Sequence, residues 1–350
     1  MGVRFLKRQN GFDYIKGLSC IAVVLIHYNF PGNLGIAIKA FCRFAVPVFL
    51  CVSGYFFLRN GKMEDTVVIK KIRHIFSLLM MSGVFYYVFA WIWNTQMSKG
   101  WNRTQFIQEK LLASKIVKLF ITNDPFVYSH LWFLLGLLYC YAFASLYFAG
   151  SKRIKTIYVL APFLLVGYAF LQEFGGLLGI SRSVAIPGTN DRIYLYNLFC
   201  FRALPFFMFG MIIKERQESI SKITLTTACL WLVVVVGGIL AIVERFMIGE
   251  AQFFVGSYVM VAAMFVWAIK SEMSERALLC FIGRELSLYI YIFHIAVGKS
   301  FDLFVSKMHL WGTPLVNYGK TPIVLVVTVL MAYLLYVAKL LCKRNCRKTV

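Results

Sequence analysis

Of the 350 residues, 60% are hydrophobic and only 15% are charged, whereas a soluble domain carries roughly a quarter charged residues. Mean hydropathy is +0.73, and apolar runs of roughly twenty residues, the length a helix needs to cross the hydrocarbon core, recur along the chain. A net charge of +22 would suggest a nucleic-acid partner in a soluble protein. No soluble segment interleaves a basic face with aromatics, so nucleic acid is excluded as a partner and the basic residues read as loops on one side of a bilayer.

The chain reads as an all-α, polytopic membrane protein, a single domain over residues 1–350. The first apolar run lacks a small-residue cleavage site and leads into further spans, so it reads as a signal anchor. Ten transmembrane helices are predicted, at 12–30, 40–59, 76–96, 129–149, 154–172, 195–213, 224–243, 252–269, 286–305 and 321–341. Residues 64–74, short and charged, are expected to lie on the surface as an amphipathic stretch. The longest polar connection, 97–128, is expected to carry structure outside the bilayer, and 343–350 forms a basic tail. The nine cysteines fall mostly inside apolar runs without zinc-type spacing, and no metal site is predicted. No internal repeat is visible, which weakens an inverted-repeat transporter reading.

Basic residues set the orientation. With the N-terminus cytoplasmic, every inside segment holds at least three Lys or Arg, 22 in all, against 12 outside, five of them in the 97–128 loop. Both termini are therefore expected on the cytoplasmic side.

Ionisable groups inside spans are costly and face the bundle interior. On span one, Asp13, Lys16 and His27 share a helix face, with Lys16 and His27 about 16 Å apart along the axis. Asp13 and Lys16 read either as part of a site or as an interfacial ion pair. His27 reads either as a site residue or as a satisfied polar link between helices. By depth, Arg43 of span two, His130 of span four, Arg202 of span six and Glu244 of span seven come level with His27. An imidazole beside a carboxylate and guanidinium groups suits proton abstraction from a hydroxyl, with Arg opposing the developing oxyanion charge. Ser53 is a candidate nucleophile, although Ser53-Gly54-Tyr55 also reads as close helix packing, and Pro47 is expected to kink the span beside Arg43. At the opposite pole, Asp13, Lys16, Arg284 and Glu285, with Lys70, Lys71 and Arg73, form a charged mouth suited to phosphates or to anionic lipid.

These residues resemble a known family, the integral-membrane acyltransferases of family three. The opening motif is Phe12-Asp13-Tyr14-Ile15-Lys16-Gly17-Leu18 through His27. The second is Arg43-Phe44-Ala45-Val46-Pro47-Val48-Phe49 leading to Ser53-Gly54-Tyr55, and the third is His130-Leu131-Trp132-Phe133. Leu204-Pro205-Phe206-Phe207-Met208-Phe209-Gly210, Glu244 and Ser287-Leu288-Tyr289-Ile290-Tyr291-Ile292-Phe293-His294 also fit. Lys16 stands where an arginine is common and loses its bidentate fork, and Arg202 stands where an uncharged residue is expected.

The resemblance implies an acyl-CoA co-substrate, acetyl-CoA above all, on the cytoplasmic side. The acceptor it implies is a hydroxyl of a cell-surface glycan or lipid-linked sugar on the outer side, with no bound cofactor. It implies catalytic roles for His27, Glu244 and Asp13. Donor or acceptor binding would fall to Lys16, Arg43, Ser53, Tyr55, His130, Trp132, Arg202 and His294, the last also open to a structural hydrogen bond. Resemblance to the membrane portions of serine racemases leaves a second reading open, a transporter or substrate-presenting domain without acyl transfer, and a scaffold or sensor is the third.

Overall fold

The computed structural model describes residues 9–58, 63–97, 102, 104, 107, 113–125, 128–150, 154–175, 178–181, 183–189 and 191–348. Helices α1 (Asn10–His27), α2 (Gly32–Phe41), α3 (Ala45–Tyr55), α4 (Asp65–Met97), α5 (Ala113–Thr122), α6 (Trp132–Gly150) and α7 (Ile154–Ala169) come first. A short antiparallel hairpin, β1 (Ser183–Ala185) and β2 (Arg192–Tyr194), follows, with Val184 opposite Ile193. Then come α8 (Phe199–Arg202), α9 (Leu204–Glu215), α10 (Gln217–Ser221), α11 (Thr227–Ile248), α12 (Val255–Lys270), α13 (Leu278–Phe281), α14 (Ser287–Lys307) and α15 (Pro314–Lys348).

Among the described residues, seven helices are long and apolar enough to cross a membrane. The bundle is apolar on its outside as well as inside: Met81, Phe163, Leu232 and Leu334 are all more than 60% exposed, as expected where lipid replaces water. The remaining expected spans are shorter or more polar. Helix α1 has 18 residues and carries Asp13 and His27, and α12 has 16, about 24 Å of rise. Far from being peripheral, α1 is central, packed against α3, α12, α13, α14 and α15.

Span six is not one helix. Pro205 stands in the first turn of α9, where a missing N–H costs nothing, and the chain breaks just before it at Ala203, at φ −120° and ψ −51°. Span two begins at Gly32, earlier than expected, and runs through a 3₁₀ turn at Cys42–Phe44 into α3. Pro47 explains that turn, because it lacks the N–H that would bond the carbonyl of Arg43, four residues back. The 64–74 stretch does not form a separate surface element. From Asp65 it is the start of the 33-residue α4, whose roughly 50 Å exceeds the ~30 Å hydrocarbon core, so the charged first turns extend past it. Of the expected 97–128 loop, α5 is described, and the basic tail continues α15 as far as Lys348. Residues 349 and 350 lie outside the described residues.

Two glycine crossings fix the helices that carry charged groups. Gly54 of α3 abuts the Phe207 carbonyl and Gly210 of α9 abuts that of Cys51, so the two helices touch backbone to backbone. Gly17 of α1 meets the Leu279 carbonyl, and Gly283 meets that of Asp13. Gly283 lies in a π-helical turn, Ile282–Leu286, that also presents Arg284 and Glu285.

Candidate active site

His27 is the last residue of α1. Tyr28, next in the chain, donates from its hydroxyl to the Ile295 carbonyl at 3.1 Å and so ties the end of α1 to α14. That tether brings the His27 and His294 rings to 5.0 Å, centroid to centroid. The His294 Nδ1 bonds the Ile290 carbonyl at 3.0 Å. A carbonyl only accepts, so Nδ1 carries the proton and Nε2 is left as an acceptor in the neutral ring. That Nε2 is buried and has no hydrogen-bond partner among the described residues.

His130 completes the group, 5.5 Å from His294. It sits in a 3₁₀ turn, Ser129–Leu131, that opens α6. Tyr291 donates to its backbone carbonyl at 2.6 Å, and its ring packs edge-on to Tyr86 at 4.7 Å. Both His130 ring nitrogens are buried without hydrogen-bond partners among the described residues. Although three imidazoles are close, no group of three or more His, Cys, Asp or Glu is arranged to hold a metal ion among the described residues.

His27, in contrast, is exposed, and it lines a half-open cavity of about 240 Å³. Lys39, Arg43, Ser129, His130, Trp132, Arg202 and Gln252 line it with His27, over an apolar floor of Val23, Ile26, Val46 and Phe253. Three cavities roughly twice that size have apolar linings or open at the surface around Arg276 and Arg284. None of them is lined by a histidine.

Of the residues that depth alone made level with His27, the cavity unites Arg43, His130 and Arg202, together with Trp132. Glu244 does not line it. The Glu244 carboxylate accepts from the Gly256 N–H at 3.3 Å, in the first turn of α12, where a negative group satisfies an orphan donor. The acidic residue at the cavity rim is Glu250, in the loop after α11. It holds Lys39 at 2.5 Å and Arg43 at 3.3 Å. Its hydrogen bond from Lys39, reinforced by the charges of Lys39, Arg43 and Arg245, holds its carboxyl below the usual carboxylate range. Sequence reasoning missed Glu250, Lys39 and Gln252. The available signal was Lys39 four residues before Arg43, which puts both cations on one helix face.

The other candidates lie elsewhere. Asp13 and Lys16 form an ion pair of 2.7 Å with Asp13 only 6% exposed. Arg284 pairs with its neighbour Glu285 at 3.0 Å. Lys71 donates to the Phe56 carbonyl at 2.9 Å. Ser53 donates to the Phe49 carbonyl of its own helix at 2.9 Å. Tyr55 is fully buried, its ring 4.4 Å from Phe12 and its hydroxyl on the Gln9 side chain. Gly54, between them, forms the close helix contact described above.

A family model described as an acyltransferase domain matches residues 9–337, nearly the whole chain. No curated protein and no solved structure matches it.

Proposed function

The chain belongs to acyltransferase family 3, and on that premise we propose that it is a membrane O-acyltransferase acting across the bilayer. It takes an acetyl group from cytoplasmic acetyl-CoA and delivers it to a hydroxyl of a cell-surface glycan or lipid-linked sugar, with His27 as general base. The observation that carries this reading is the His27 ring exposed within a cavity lined by Arg43, Arg202 and His130.

His27 removes the acceptor hydroxyl proton as the oxygen attacks the thioester carbonyl carbon. Arg43, held by Glu250, opposes the negative charge that builds on the carbonyl oxygen. Collapse of the tetrahedral intermediate breaks the carbon–sulfur bond, and the His27 imidazolium returns its proton to the departing CoA sulfur. His294, its ring 5.0 Å from that of His27, supports it through a fixed tautomer that leaves Nε2 as an acceptor.

The donor needs a path from the Lys16 end to the His27 end. Val46, Phe49 and Ser53 follow Arg43 down one face of α3 at helical spacing. They keep partial exposure while the α3 residues between them are buried. This stripe favours a crevice for the pantetheine arm, with Lys16, Arg276 and Arg284 beside the CoA phosphates.

The test compares O-acetyl content of surface glycans in cells expressing the wild type or His27→Ala at matched levels. Acetylation is expected to vanish in the variant, and unchanged acetylation would remove His27 from the mechanism. Uptake of labelled serine by proteoliposomes lacking acyl-CoA would replace this reading with transport.

A further inference from the structure

Arg202 is the last residue of α8, at the break before Pro205. Its guanidinium carbon lies over the Trp132 indole, 3.5 Å from the ring centroid, a cation–π contact that positions its N–H fork. The group lines the cavity that holds His27. Among the described residues, its buried Nε has no hydrogen-bond partner. Charge reaches it from Asp124 through space; Lys39 and Arg43 share Glu250 in a direct ion pair. Three cations thus line a small cavity, and Glu250 is in direct contact with two of them. A buried Nε–H without an acceptor is costly unless something arrives to accept from it, and a cavity of this sign concentrates anions.

We infer that Arg202 is an anion-recognition residue that selects an acceptor bearing a carboxylate or phosphate next to the hydroxyl to be acylated. The proposal rests on reading the His27 cavity as the acceptor site. At about 240 Å³ the cavity is smaller than the roughly 300–1,000 Å³ of sites for drug-sized ligands, so it takes one sugar ring with its charged substituent. The Trp132 face and the planar fork suit a carboxylate held in the ring plane, and they equally suit a phosphate one bond further out.

The experiment measures binding by the full-length protein in detergent, without acetyl-CoA, from the ligand-induced rise in melting temperature. The probes are methyl glucuronide, glucose 1-phosphate, methyl glucoside and inorganic phosphate. The wild type is expected to bind at least one charged sugar about tenfold or more tighter than methyl glucoside. The ratio should fall to near one in Arg202→Gln and be partly restored in Arg202→Lys, which keeps the charge without the fork. Whichever of the two charged sugars binds tighter identifies the source of the anion. No charge preference in the wild type overturns the proposal, and that arm needs no variant to fold. It is also overturned if the preference survives Arg202→Gln, because Lys39 and Arg43 would then supply it, or if inorganic phosphate binds as tightly as glucose 1-phosphate. Because the readout is binding, a failure of acetyl transfer in the wild type would leave this result standing, and the two readings fail separately.

Discussion

Alanine at Gly54 or Gly210 should pry apart α3 and α9, the helices that directly follow Arg43 and Arg202 in the chain. An added Cβ at Gly54 would lie 2.8 Å from the Phe207 carbonyl carbon and nearer still to its oxygen. At Gly210 it would lie 2.7 Å from that of Cys51. Ordinary carbon contacts start at 3.4 Å, so α3 and α9 must separate by at least about 0.6 Å. The opposing atoms are helical backbone and cannot swing aside. Over-packing of this kind costs about 1–3 kcal/mol, and the upper part of that range is expected because Cys51, Phe207 and Met208, all almost fully buried, lose close contact together. One separation relieves both sites, so Gly54→Ala with Gly210→Ala should cost clearly less than the two single losses added. Unfolding of the purified protein in a graded detergent denaturant measures all three. Single variants within about 0.5 kcal/mol of wild type, or losses that simply add, would show that the helices do not meet at these glycines.

Replacing His294 by Phe removes the buried Nε2 acceptor beside His27, and acetyl transfer should drop roughly tenfold or more, as for an acceptor worth about 1.4 kcal/mol to the His27 imidazolium as it forms. His294→Gln, which keeps an acceptor, should retain more activity than His294→Phe; equal activity in the two variants would end the orienting role. Glu250→Gln should lower stability by at most about 1 kcal/mol, because Glu250 is 57% exposed and surface pairs are screened. Its carboxyl is held below the ordinary value of about 4.3. The contribution is therefore complete above that pH and is lost as pH falls through the lower folded value. The gap in melting temperature between wild type and variant at pH 7 should close below about pH 4, and a constant gap contradicts the pairing. Asp191 ties the hairpin to α5 through Lys118 at 2.6 Å, and that bond, then one from Ser114, holds its carboxyl low. In Asp191→Asn, limited proteolysis between 178 and 194 should quicken about 2–5-fold, equivalent to the loss of up to about 1 kcal/mol; an unchanged rate would mean the hairpin is held by other contacts.

Axial position was legible in the sequence because a helix rises a fixed 1.5 Å per residue. Counting along each span put His27, Arg43, His130 and Arg202 at one depth, and the four do line one cavity. Which way each side chain faces depends on packing between spans, and here Glu244 and Glu250 trade places. Glu244 is level with the others by count but bonds the start of α12, while Glu250, six residues on, reaches Lys39 and Arg43. Residues 64–74 show the same limit, since a charged stretch compatible with helix simply continues into α4 when nothing stops it. The break in span six did leave a trace, since Pro205 follows Arg202 by three residues and is favoured in a helix's first turn rather than its interior.

The irregular points share a place for a physical reason. His27 ends α1, Arg43 sits in one 3₁₀ turn and His130 in another, Arg202 closes a four-residue helix, and Gln252 lies in a loop. Each interruption frees backbone N–H or C=O groups that hydrocarbon cannot satisfy, so within a membrane such points are tolerated only where protein or a polar cavity receives them. The Gln252 N–H, for example, donates to the Gln172 side chain at 2.6 Å, and the Tyr291 hydroxyl caps the His130 carbonyl. Once one span is interrupted, its freed polar groups make the same locality the least costly place for the next interruption. The side chains at those points then converge without any one helix having to carry the whole set. The spans with uninterrupted α-helix on their lipid-facing sides, α4, α11 and α15, contribute no residue to the cavity. Replacing a residue in one of the interruptions with one that restores regular helix is therefore expected to move a cavity side chain more than any substitution in those three helices.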